Sequence, residues 1–139
     1  MTESTKIDFR YRRVQRIDDV TDLAEMLFPG NRNQQHAAAR ILLALKASSE
    51  PVKLLVDLER RFAISRRTLQ RTRAKLSRLG LIEHVTWMNT RYGGREGWIL
   101  SGRMSSSLRQ LAERIDAWRS DGRAERKHKE EMLAELLRP

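Results

Sequence analysis

Cysteine is missing from this 139-residue chain, which rules out a disulfide framework and a thiolate metal site. That absence agrees with a cytoplasmic protein. Long apolar runs are missing as well. The longest, residues 37–39 and 41–45, is broken by Arg40 and falls well short of the roughly 20 residues that span a bilayer. Residues 1–10, MTESTKIDFR, lack the apolar core of a secretory leader. No lipidation signal occurs, nor an amphipathic helix rich in lysine and aromatics, so a membrane is not an expected partner. Internal repeats and low-complexity tracts are absent.

Catalytic groupings are also scarce. His36, His84 and His128 fall on different elements, and none has a second ligand at i+3 or i+4, so no metal site is expected. Nucleophile motifs of the hydrolase and kinase kinds do not occur. Asp18-Asp19 reads as helix capping and Glu130-Glu131 as a solvated face. The expectation is a non-enzyme that needs no cofactor.

What is present is positive charge. The formal net charge is +10 and the sequence pI is about 11.0, an excess that favours a polyanionic partner, most commonly nucleic acid. From Arg60 to Arg78 there are eight basic residues and no carboxylate. Solvated helix faces usually mix both signs, because like charges repel.

The chain divides into a basic arm (residues 1–17), a central domain (18–101) and a helical extension (102–139). Composition makes the arm flexible. It could instead lie along phosphates or reach a groove, or the alternation from Ile7 to Tyr11 could make a short strand docked on a partner subunit. Asp19 caps a helix from about Val20 to Phe28, and Pro29-Gly30 stops it. Asn33 caps the next, which runs to about Ala47 with Ala38, Ile41, Leu42 and Leu45 inward. Pro51-Val52-Lys53 forms a short strand.

Next comes the stretch on which the rest depends. Leu55, Leu58 and Phe62 share a face of a short helix, and Ala63 and Ile64 fill a tight turn. Ser65 caps a second helix whose inward face is Leu69, Thr72, Leu76 and Leu79. A strand over residues 81–88 puts Val85 and Trp87 on one face and Ile82 on the other. Trp98-Ile99-Leu100 returns, and the loop between (residues 89–97) has three glycines. Trp87 and Trp98 read as core packing. A long helix from about Gly102 repeats Met104, Leu108, Leu111, Ile115 and Trp118 at spacings of 4, 3, 4 and 3, a heptad-like stripe. Asp121-Gly122 interrupts it before a charged last helix (residues 123–137).

Two short helices joined by a turn, the second capped and cationic outside, then two strands around a glycine-rich loop, resemble the winged helix-turn-helix of DNA-binding regulators over residues 34–101. At Glu59 many helix-turn-helix proteins have Ala or Gly. The resemblance implies a mainly α fold with a small β-hairpin wing, a recognition helix over residues 65–79 and duplex DNA as partner. It also implies that the first turns of that helix meet base edges, through Ser65, Arg66, Arg67, Gln70 and Arg71, with Thr68 on phosphate or backbone. Gln70 suits adenine, whereas the arginines suit guanine or phosphate. Arg73, Lys75 and Arg78 are expected on phosphate or in solvent, and Arg91 and Arg95 along the backbone or in the minor groove. The C-terminal stripe either covers the domain core or pairs with its copy in a homodimer. The best-matching function is transcription regulation. Sequence-tolerant architectural or replication-associated binding stays open, as does a protein-interaction module that docks an acidic partner.

Overall fold

A computed structural model describes residues 6–139. It is mainly helical, with one two-stranded antiparallel sheet. The order is α1 (Tyr11–Gln15), α2 (Val20–Leu27), α3 (Arg32–Ala47), α4 (Asp57–Arg61), α5 (Arg66–Leu79), β1 (Ile82–Val85), β2 (Gly97–Leu100), α6 (Arg103–Ser120) and α7 (Ala124–Glu135). Two compact units result, one ending at Met104 and the other Ser105–Pro139.

In the first unit, capping fixes where the helices start. The Asp19 carboxylate accepts from the N–H groups of Thr21 and Asp22 at 2.9 and 3.0 Å. For α3 the cap is Asn31, which accepts from the Gln34 N–H at 3.1 Å, and not the expected Asn33. The turn through Gly30, at a φ of 73°, leaves Asn31 extended and ready to cap two residues earlier. Helix α3 buries Ala37, Ala38, Ile41, Leu42 and Leu45 against α2 and α5. Leu27, Phe28, Leu76 and Ile82 are among the other residues of this core, each contributing roughly 1.5–3 kcal/mol by removal from water.

Residues 6–17 pack on this unit, as coil over 6–10 and then α1, with no strand among them. The Asp8 N–H donates to the Met26 carbonyl at 2.9 Å, and Arg13 reaches Glu25 at 2.6 Å. Ile7 and Ile17 pack against the core. The expected arm's first stretch, residues 1–5, lies outside the described residues.

Strands β1 and β2 pair Ile82 with Leu100 and Val85 with Gly97. Val52 adds a one-residue bridge, exchanging both backbone hydrogen bonds with Trp98 at 2.9 Å. Gly97 permits this approach, since a Cβ there would stand 2.7 Å from the Val52 carbonyl. The expected strand over residues 81–88 stops at Val85.

In the second unit, α6 and α7 flank Asp121. Arg123 donates to that carboxylate from its backbone and guanidinium, which holds the Asp121 carboxyl at about 2. No residue from 105 to 120 is buried, and Leu108, Leu111, Ile115 and Trp118 are all exposed. Among the described residues, no helix is long and apolar enough to cross a membrane.

Candidate nucleic-acid interface

Helix α5 is held firmly at both ends. Ser65 Oγ accepts from the Thr68 N–H at 3.1 Å and donates to Thr68 Oγ1 at 2.9 Å. Gly80 closes the other end with a φ of 85°, where a Cβ would meet Arg103 and Met104 at 3.0 Å. Ahead of the helix, Ala63 makes the tight turn at a φ of 53°, and the Ile64 N–H donates to the Glu59 carbonyl at 3.0 Å.

Leu69, Thr72 and Leu76 are buried as expected, and Leu79 is half-buried. The Thr72 hydroxyl has no partner among the described residues. At about 100° per residue, Arg67, Gln70, Arg71, Ala74 and Arg78 fall on one strip facing away from that core. Ala74 is half-buried, while the other four are exposed. Arg67 and Arg71 have no carboxylate partner among the described residues. Arg66 is also exposed, on the flank, and lies 3.8 Å from Glu59. This pairing links Glu59 of α4 to the first turn of α5. Ser65 is exposed and Thr68 half-buried.

Two expected site residues lie elsewhere. Lys75 is not in solvent. It is buried, and its ammonium donates to the carbonyls of Leu27 (2.5 Å) and Lys6 (2.8 Å) beside the Phe28 ring. Lys75 sits midway between the inward and outward faces, and Lys6 closes over that flank. Arg73, on the other flank, is half-buried with its guanidinium 5.1 Å from the centre of the Trp98 ring. It ties α5 to β2.

Burial, with help from the charge of Arg78, pushes the Lys75 ammonium below the ordinary lysine value. The unfolded chain therefore holds that proton more tightly, and this group favours folding more as pH rises towards the lysine range. Lys75→Met should cost about 1–3 kcal/mol by leaving a buried carbonyl unpaired, read as a fall in melting temperature. The salt dependence of any nucleic-acid binding should not change. An unchanged melting temperature with a shallower salt dependence would return Lys75 to the interface.

The loop from 86 to 96 is organised by Asn89. Its side-chain amide donates to the carbonyls of Thr86 and Arg95, and its oxygen accepts from the Tyr92 N–H at 2.7 Å. Arg91 is exposed, 5.2 Å from the centre of the Tyr92 ring. Arg95 is exposed but paired with Glu50, which the sequence pattern did not reveal because the partner lies 45 residues away. Trp98 is half-buried against the core, as expected. Trp87 is not core: it and Met88 lie in the loop with 68% and 73% of their surfaces exposed. Asn89, a turn-forming residue, was the available signal that the strand ends early.

Among the described residues, no three His, Asp or Glu side chains converge on a point that could hold a metal. Comparison with family models, curated proteins and solved structures finds no match to the chain.

Proposed function

We propose that this protein binds duplex DNA as a winged helix-turn-helix transcription regulator, acting by occupancy without chemistry of its own. The observation that carries the reading is the strip of Arg67, Gln70, Arg71 and Arg78, all exposed on a rigidly capped helix. Arg67 and Arg71 meet no carboxylate among the described residues. Guanidinium groups left in water one turn apart repel each other, a cost that an anionic partner would offset. Ala74 within the strip keeps the ridge low enough for close approach to a groove. The element order supports the winged form: core helix α3, the Val52 bridge, α4, a turn, α5, then a hairpin.

We further propose a homodimer through the C-terminal helices, supported by the exposed stripe of α6 and by Met132, Leu133, Leu136 and Leu137 at the end of the chain. Two copies would present two recognition helices to half-sites about one DNA turn apart.

Selection of bound duplexes from a random pool, followed by titration across a salt series, tests the reading. The binding constant should fall with salt, with log K changing by roughly −0.9 per decade for each phosphate neutralised. No complex at low salt would sink the proposal. Equal affinity for selected and random duplexes would move it to sequence-tolerant binding.

A further inference from the structure

We infer that Trp87 and Met88 form an apolar wedge that inserts at a base step of duplex DNA; this rests on the DNA-binding reading above. They are the two most exposed large apolar side chains among the described residues of the first unit. Scattered exposed apolar residues need no explanation, but an adjacent Trp and Met at the head of a hairpin loop are a different matter.

Their exposure does not come from a loose loop. Asn89 bridges the two sides of the loop through both ends of its amide group, and the Gly94 N–H donates to the Asn89 carbonyl at 3.0 Å. Gly94, at a φ of 79°, lies so close beneath Trp87 that a Cβ would stand 3.2 Å from the Trp87 carbonyl oxygen. The backbone of the pair is therefore fixed while the side chains remain in water. A preorganised apolar tip loses little freedom on insertion, which is the economy that favours a rigid wedge over a mobile one.

Two observations commit the wedge to DNA instead of a second protein. First, the hairpin is tied to the recognition helix: Arg73 of α5 lies over Trp98 of β2, 5.1 Å from the ring centre. A body that seats α5 in a groove carries the same hairpin with it. Second, Arg91 stands exposed in the same loop with no carboxylate partner among the described residues, whereas Arg95 is engaged by Glu50 and Glu96 is exposed nearby. A cation beside an apolar wedge is the composition of side chains that partly unstack base steps and bend the duplex.

The test compares wild type with the double variant Trp87→Ala/Met88→Ala, on a selected duplex carrying a donor and an acceptor dye at its ends. Wild type should shorten the end-to-end distance on binding. The double variant should bind roughly ten- to a hundredfold more weakly, as expected for lost base contacts. It should leave the duplex straighter and keep the wild-type salt dependence, because no phosphate contact is lost. Its melting temperature should match wild type, since both side chains are exposed. If the double variant binds and bends like wild type, the inference is overturned while DNA binding stands. Loss of self-association with unchanged DNA affinity would assign the pair to a second copy and overturn it too. If wild type binds no duplex at all, it is the underlying reading that has failed.

Discussion

Changing Arg67 and Arg71 together to alanine is expected to lower duplex affinity on the order of 100-fold or more, without loss of folding. Both side chains are exposed, and neither has a carboxylate partner among the described residues, so no contact within the fold is removed. Alanine is also the stronger helix former, and the two arginines are like charges at i and i+4. The melting temperature should therefore hold or rise slightly as affinity collapses. That opposition of signs is what separates a ligand-facing charge from a structural one.

The salt series divides the roles further. If both arginines neutralise phosphates, the salt slope should become shallower by about two for each protomer. If they read guanine edges, the loss should concentrate on the preferred sequence. A paired change to lysine would keep the charge but remove the planar donor fork, and so rescue phosphate contact better than base reading. A double alanine variant that binds like wild type would remove α5 from the interface.

The second large effect concerns α6. Ile115→Glu should convert a dimer into a monomer of 16.3 kDa in sedimentation analysis. Leu108, Leu111, Ile115 and Trp118 are 40–61% exposed, and Met104 is the only residue of the helix that is buried. Most helical stability in proteins comes from packing one apolar face. A second copy can supply that packing through the same stripe, and a glutamate in its middle would face its own mate across the two-fold axis. DNA affinity should fall by a factor of roughly 10²–10⁴, the gain usually conferred by linking two binding modules. The first unit should melt as before. A wild-type protein that sediments as a monomer, or a variant that stays dimeric, would end the proposal.

Much of the fold was legible in local sequence, because capping and periodicity act over a few residues. Asp19 and Ser65 mark helix starts through hydrogen bonds within their own neighbourhood. The inward face of α5 followed from spacing alone. Misreadings arose where two local signals competed, as with Asn31 against Asn33, or where strand alternation ran past its last partner, as at Trp87. The candidate site was legible in its centre and less so at its margins. Arg67, Gln70 and Arg71 point away from the core whatever packs behind them. Lys75 and Arg73 lie on the flanks, where a neighbouring segment decides between water and burial.

Composition and order along the chain thus determined a basic, mainly helical protein with a small hairpin and a one-signed helix surface. These properties depend on residue type and on separations of three or four positions. Only the tertiary structure decided that Lys6 folds over Lys75, that Glu50 engages Arg95, and that Trp87 and Met88 stand in water. The first two depend on contacts between residues dozens of positions apart. The third depends on where a strand runs out of partners, which no periodicity within the strand can encode.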